Sequence, residues 1–393
     1  MSSDSLFDIA VIGGGIAGAS VAAALAPHAR VLLLEMESQP GYHATGRSAA
    51  VLVDTYGPAP VRALTRASTP FLERPSEDFT NVPLLSPRGV VMIAREDQLR
   101  SLDALQAELG DGTPDRRLDG DELAACLPFL KPGYAMAGLF NERARDIDVH
   151  ALHQSYLRRF RGNGGQITVS APVTALRHNR GLWHASAGDE EFRASVVVNA
   201  AGAWADQVAE MAEMPPVGLS PKRRSIAVIP APSGAAVSDW AMVVDIDEEF
   251  YIKPDAGRLL ISPADETLSA PCDSRPEEYD IALAVDRVER AVNFTIPRIE
   301  NRWSGLRSFV IDKCPVCGFD ANVPGFFWLA GQGGYGIQTA PALAELAAAL
   351  LLDKAVPEPI LAEGLDPADL SPARPMLDRE RNLGNISSKK YAQ

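Results

Sequence analysis

A chain of 393 residues exceeds one ordinary core, so two domains, interleaved or consecutive, are expected. With 46% hydrophobic and 22% charged residues it can bury a substantial interior without staples. A net charge of -14 argues against a nucleic-acid partner, and four unevenly spaced cysteines do not make a secreted disulfide framework.

The start MSSDSLFDIAVIGGG lacks a basic n-region with a cleavable apolar run. The longest apolar run, Ala340 to Leu352, contains Pro341 and Glu345 and is too short to cross a bilayer. No transmembrane segment and a cytoplasmic location are therefore expected.

Phe7 to Ile12 reads as a strand covered on both faces. Gly13 allows a tight turn, Gly15 removes a side chain where a pyrophosphate would approach, and Gly18 lets the helix Ile16 to Ala26 pack on the sheet. Ile16 and Ala17 open that helix, whose first turn offers free N–H groups and a partial positive charge to phosphates. A second strand, Arg30 to Leu34, ends in Glu35, placed to accept hydrogen bonds from both ribose hydroxyls. Strand, glycines, helix, strand and acid together predict dinucleotide binding, with NAD and FAD both open at this point.

"SQPGYHATGRSAA" then reads as a loop rather than a third strand. Residues 52–148 read as mixed, with helices near Val61–Glu73 and Glu96–Leu109 and a strand near Val90–Ala94. A helix follows at 149–163, then a strand "QITVSAPVTAL". "FRASVVVNAAGAWADQVAEMA" repeats the opening logic: strand Ser195–Asn199, a turn of small residues including Ala201 and Gly202, and a helix from near Trp204. Residues 215–300 carry strand pairs, among them "EEFYIKPDAGRLLISP" with a turn at Pro254-Asp255-Ala256-Gly257. "GFFWLAGQGGYGIQTAPALAELAAALLL" gives a third strand, glycine turn and long helix.

His150 and His153 lie three apart on a helix without a further ligand, and a single "CPVC" lacks a second pair, so no metal site is expected. His43 reads either as a cofactor-loop residue or as a side chain that fixes its loop.

The stretches "QPGYHATGRSAA", "PLLSPR", "DIDVHALHQSYLR", "VVNAAGAWAD", "LSPKRRS", "FYIKPDAG", "GLRSFV" and "GGYGIQTAPA", in this order, resemble the D-amino acid oxidase superfamily of FAD enzymes. Within it they are most similar to bacterial FAD-dependent D-arginine dehydrogenases. The resemblance implies an α/β (α+β) two-domain fold: a Rossmann-like FAD-binding domain built from residues 1–50, 146–214 and 301–375, and a mainly antiparallel-sheet substrate domain from 51–145 and 215–300. Residues 376–393 form a polar tail.

The resemblance also implies site residues. Arg224 and Arg307 would hold a substrate carboxylate, Tyr251 and Tyr56 would line the pocket, and the backbone at Gly334 would meet the substrate amine. Arg223 is the less suited neighbour of Arg224. The FAD would rest on Gly13, Gly15, Ile16, Ala17, Gly18, Glu35 and Met36. In the following loop it would meet His43, Thr45, Gly46, Arg47, Ser48, Ala49 and Ala50. Val173, Ala201, Gly202 and Trp204 would follow, with Arg307, Gly331, Gly333, Gly334, Tyr335, Gly336, Ile337 and Gln338.

Two guanidinium forks match a carboxylate and fix its Cα. The acid that D-arginine dehydrogenases carry after the S-P-R turn is Val90 here, and a pocket histidine after GRSAA is Val51. A non-basic substrate side chain follows, since a cation against two valines would lose its partner and its hydration. The cysteine that carries covalent flavin in some sarcosine oxidases would fall at Gly305, so non-covalent FAD is expected. Asp312, Pro315 and Gly318 have a structural part near the domain junction. A small amino acid or amine is the expected substrate, with oxygen, a quinone and a carrier protein all open as electron acceptor.

Overall fold

The computed structural model of the protein describes residues 6–110 and 112–377. Two large sheets organise them. In the first, five strands run parallel in the order Gln166–Thr168, Val31–Leu34, Leu6–Ile12, Glu190–Asn199 and Phe326–Ala330. Every residue of Val31–Leu34 and Phe326–Ala330 is buried, the reason these strands read as unbroken apolar runs. Val173–Asn179, Leu182–Ala187 and Val316–Phe319 extend this sheet in antiparallel fashion.

Three neighbouring parallel strands each run into a small-residue turn and a helix. Leu6–Ile12 leads to the helix Ile16–Leu25, and Phe326–Ala330 to Gly336–Leu351. Glu190–Asn199 leads through the 3-10 turn Gly202–Trp204 to Ala205–Met211. Their turns therefore open side by side at the carboxyl edge of the sheet, where open parallel sheets take ligands. The helix Ile16–Leu25 is apolar all round because it packs against both Val149–Gly162 and Gly336–Leu351.

The second sheet has nine strands. Its order is Thr267–Leu268, Ser220–Pro230, Arg258–Ser262, Tyr251–Asp255, Met242–Asp245, Val90–Ala94, Ala137–Asn141 and Asp115–Asp119, with Asn301–Phe309 also paired to Ser220–Pro230. All pairs are antiparallel except Met242–Asp245 with Val90–Ala94. A core of Ile93, Phe250, Ile252 and Val288 fills one face. A small sheet of Val51–Leu52, Leu85–Pro87 and Arg145–Ile147 lies between the two in sequence.

Several expectations change in detail. "QITVSAPVTAL" is not one strand: Gln166–Thr168 pairs with Val31–Leu34 while Val173–Asn179 joins the opposite end of the same sheet. The break falls at Ser170, at φ +52, and Pro172, which donates no ladder hydrogen bond. The helix Glu278–Ala291 lies in a region read as strand pairs; its apolar positions face the second sheet at helical spacing. The hairpin turn is tighter than expected, because Asp255 still pairs with Arg258 and only Ala256 and Gly257, both at positive φ, make the loop. Asn301–Phe309, grouped by sequence with the cofactor segments, runs in the second sheet. Of the polar tail, residues 378–393 lie outside the described residues. Among the described residues no helix is long and apolar enough to cross a membrane.

Candidate functional site

The three turns open into one continuous cavity of about 730 Å³ that runs on to a face of the second sheet. Gly13, Gly15, Ile16 and Ala17 line it, so the first turn of the helix, whose leading N–H groups lack intrahelical acceptors, forms its wall. Thr45 reaches across from the next loop and its hydroxyl accepts from the Ile16 amide at 2.9 Å. Glu35 is buried on the wall; one carboxylate oxygen accepts from Gly14 N at 2.7 Å and the other from Glu37 N at 2.9 Å.

Met36, His43, Arg47, Ser48, Ala49 and Ala50 follow along the wall. His43 lines the cavity, and its ring pairs with Glu37 at 2.9 Å and packs on Trp204. Arg47 ties the loop to the second sheet, donating to the carbonyls of Ser274 and Ser304 and pairing with Asp273. Val173, Ala201, Gly202 and Trp204 close one flank, and Gly333, Gly334, Tyr335, Gly336, Ile337 and Gln338 another.

Three of the expected cofactor contacts are not on the wall. A β-carbon on Gly18 would stand 1.8 Å from the Gly13 carbonyl oxygen, so this residue serves helix-to-turn packing. Gly46 donates to the Gly41 carbonyl at 2.8 Å and folds its own loop. Gly331, at φ +74 and packed among Val310, Leu219 and Val316, lets the chain turn. Asp312, expected to be structural, is gripped by Arg374 through two hydrogen bonds at 2.8 and 3.0 Å.

Arg224 and Arg307 enter the same cavity from adjacent strands. Arg224 stands opposite Gly305 and Arg307 opposite Lys222, which places the two arginines diagonally on one face. Arg223, one residue before Arg224, faces away and pairs with Asp280 at 3.0 Å and Glu277 at 2.7 Å. Gly305 lies on the wall between them, where no sulfur is available.

Arg224 is 6% exposed; its Nε donates to the Asp265 carbonyl at 2.9 Å and its Nη2 has no hydrogen-bond partner. Burial and the neighbouring Arg307 pull its pKa below the usual guanidinium value. For Arg307, burial pulls down but Tyr56, Tyr251 and Glu248 outweigh it, and the net shift is upward. Both arginines stay cationic. Tyr251 is buried and its hydroxyl is held protonated mainly by burial. Lys253, on the same strand face as Tyr251, pairs with Asp146 at 3.1 Å and does not reach the cavity.

Sequence reasoning missed Glu248. Held at φ +55 in the turn before the Tyr251 strand, it accepts from the Tyr56 hydroxyl at 3.1 Å and lies 3.7 Å from Arg224. It missed His153 too, whose ring bonds the Gly14 carbonyl at 2.9 Å and so holds the glycine turn from behind. The acid in "DIDEEF" and the histidine in "DVHALHQ" were visible, but nothing local to either points to its partner.

A family model described as "DAO: FAD dependent oxidoreductase" matches residues 8–350. L-2-hydroxyglutarate dehydrogenase of Escherichia coli is 27% identical over 229 residues, 55% of this chain and 51% of that protein, so the match spans about half of that relative's length. Mitochondrial dimethylglycine dehydrogenase of Mus musculus is 23% identical over 352 residues, 83% of this chain and 40% of that protein. Among solved structures, glycine oxidase from Geobacillus kaustophilus superposes with a TM-score of 0.80 at 23% identity, covering 94% of this chain and 99% of that one. The fold is thus the two-domain FAD-binding fold, and the cofactor is FAD.

The residues present fit FAD. A side chain at Gly15 would meet only the Thr45 hydroxyl at 3.2 Å, leaving room beside the helix N-terminus for a phosphate, and Glu35 lines the same cavity with carboxylate oxygens able to accept from ribose hydroxyls. Arg224 Nη2 is a buried polar atom without a hydrogen-bond partner, 3.6 and 3.7 Å from Glu266 and Glu248, and its residue lines the cavity.

Proposed function

The chain belongs to the DAO family of FAD-dependent oxidoreductases, and on that premise we propose that it oxidises a D-amino acid with a non-basic side chain. The Cα–H leaves as hydride, the amine nitrogen lone pair forms the C=N bond, and water hydrolyses the imino acid to a keto acid and ammonia. The observation that carries this reading is the diagonal pair Arg224 and Arg307, both cationic and both turned into the family's cofactor cavity.

Bound FAD supplies the two-electron acceptor for that hydride. On this reading Gly13, Gly15, Ile16, Ala17, Glu35 and Thr45 hold its dinucleotide part, without a covalent bond. Arg224 and Arg307 bind the substrate carboxylate as a planar fork, Tyr251 remains protonated beside it as a donor, and Tyr56, whose proton goes to Glu248, lines the same pocket. Fixing the acid this way makes the transfer effectively unimolecular, and the chain needs no side-chain base if the amine arrives uncharged. Segments 6–50, 146–214 and 310–375 are assigned to cofactor and 51–145 and 215–309 to substrate, the strand Asn301–Phe309 going with the second sheet it pairs in.

Val51 and Val90 both line the cavity, which supports the non-basic side chain. The motifs resembling D-arginine dehydrogenases support the D configuration. Four free cysteines accord with the cytoplasmic location we assign.

A secondary amine such as an N-substituted glycine is the second reading, since dimethylglycine dehydrogenase is a relative and the carboxylate clamp would be shared. A 2-hydroxy acid is disfavoured because of the six histidines, all described, only His43 lies on the wall, where it pairs with Glu37. Anaerobic mixing of the flavin-loaded protein with D- and L-amino acids, N-methylglycines and 2-hydroxy acids separates these readings. Flavin bleaching fastest with apolar or neutral D-amino acids supports the proposal; bleaching by hydroxy acids alone overturns it.

A further inference from the structure

Among the described residues four acids line the cavity: Glu35, Glu108, Asp115 and Glu248. Glu35 accepts from the Gly14 and Glu37 amides, Glu108 pairs with Arg62 at 2.8 Å, and Asp115 lies at the far edge of the second sheet from the Arg224 strand. Of the four, only Glu248 stands within salt-bridge distance of either clamp arginine, 3.7 Å from Arg224 Nη2.

The chain fixes this carboxylate from behind. Residues 245–250 close a turn in which Asp245 N donates to the Phe250 carbonyl and Glu248 N to the Asp245 carbonyl, both at 2.9 Å. The buried Asp245 carboxylate accepts from Asp247 N at 3.0 Å, Glu249 N at 3.3 Å and Gln98 Nε2 at 2.9 Å, and it pairs with Arg95 at 3.2 Å. Together these bonds hold Glu248 at φ +55, a conformation that a residue other than glycine keeps when its surroundings over-determine it.

One Glu248 oxygen accepts from the Tyr56 hydroxyl at 3.1 Å; the other faces Arg224 Nη2 from beyond hydrogen-bond distance. Glu266 lies 3.6 Å from the same Nη2 and is itself held by Lys222 at 2.5 Å. Arg224 is 6% exposed, so a buried donor without a hydrogen-bond partner and a carboxylate oxygen stand side by side on the cavity wall.

A simple anion that takes this donor meets Glu248 as a like charge. An α-amino acid brings its own compensation. Its nitrogen lies about 2.5 Å from its carboxylate carbon whatever the side chain, by standard bond lengths, so an ammonium there sits between two carboxylates.

We propose that Glu248 pairs with the α-ammonium of the substrate and so selects a zwitterion over the acid that lacks the nitrogen, with Asp245 as its positioning residue. An ammonium has three N–H donors, which leaves others for the backbone at Gly334. The bound ammonium then gives one proton to water, the electron pair staying on nitrogen, before the Cα–H departs as hydride. This rests on the amino-acid oxidation reading and adds the group that tells an amine from a hydroxyl.

The test compares D-alanine with D-lactate and propanoate on the full-length, flavin-loaded protein. All three share a carboxylate and a methyl group, and only the first carries nitrogen. Dissociation constants come from perturbation of the visible flavin band, and for D-alanine from the concentration dependence of anaerobic bleaching. In the unaltered protein D-alanine should bind roughly tenfold more tightly than propanoate, the worth of one charged hydrogen bond. Glu248→Gln keeps the size and an acceptor for Tyr56 but drops the charge. It should weaken D-alanine by roughly tenfold and tighten propanoate and D-lactate, opposite signs that a general loss of structure does not give. Glu248→Asp should keep the order of the three, and Asp245→Asn should narrow the ratio by less than Glu248→Gln does. Equal weakening of all three compounds, or a ratio unchanged by Glu248→Gln, would overturn the inference; if D-alanine still bleaches the flavin in that case, the oxidation reading survives. Bleaching by D-lactate alone would remove both.

Discussion

Gly334 presents bare backbone to the guanidinium of Arg307: a β-carbon there would stand 3.1 Å from both Cζ and Nη1 of that side chain. The glycine turn that opens the helix Gly336–Leu351 therefore also sets the depth at which the Arg307 guanidinium sits, and with it the geometry of the proposed clamp. Gly334→Ala is expected to push the guanidinium by a few tenths of an ångström and cost roughly tenfold in kcat/KM. Flavin content should be unchanged. Wild-type kinetics in that variant would break the link between turn and clamp.

Removing an arm of the clamp should cost more. Arg307→Ala is expected to lower transition-state stabilisation by about 3–5 kcal/mol, since a buried carboxylate would lose a charged partner. Arg307→Lys should recover only part, because an ammonium cannot present two parallel donors. The check is the reductive rate measured beside the visible flavin spectrum, which should stay intact in both variants.

Much of this was legible beforehand. The opening strand, glycines and helix follow from short-range rules, and Gly18 illustrates how well: only a hydrogen fits 1.8 Å from the Gly13 oxygen. Arg224 and Arg307 were named in sequence, but their diagonal placement depends on a strand register that no local pattern encodes. Glu248 and His153 were missed for the same reason; their partners lie 192 and 139 residues away. The split of "QITVSAPVTAL" between the two ends of one sheet is again a long-range outcome, signalled locally only by Pro172.

His153 gives an acid-side prediction. Burial lowers its pKa, so the neutral ring is the form the fold holds against Gly14. A depressed folded value contributes stability that is present above the ordinary histidine value, about 6.5, and lost as the pH falls through the folded one. Flavin retention should therefore weaken below about pH 6.5. His153→Asn should bind flavin less tightly at neutral pH and lose that acid dependence, as followed by fluorescence of released flavin.

Tyr56 gives a base-side prediction. Burial first, and then Glu248, push its hydroxyl up to about 12. Because the folded value is raised, its contribution to stability is complete below the ordinary tyrosine range and is lost as the pH rises through about 12. Burial also raises Tyr156, Tyr251 and Tyr335, so ultraviolet difference titration should show a group of late tyrosine ionisations, of which Tyr56→Phe removes one and Glu248→Gln moves one to lower pH. A late amplitude of the same size in Tyr56→Phe as in the unaltered protein would contradict the assignment.

The central claim, that two guanidinium groups grip an acid so that its Cα meets the flavin, is tested most directly by deleting the carboxylate from the substrate. Anaerobic reduction by the best D-amino acid should be compared with reduction by the primary amine that has the same side chain. The account predicts rapid bleaching by the amino acid, slow or no bleaching by the amine, and a gap between them that collapses in Arg307→Ala. Equal bleaching by both compounds in the unaltered protein would contradict it.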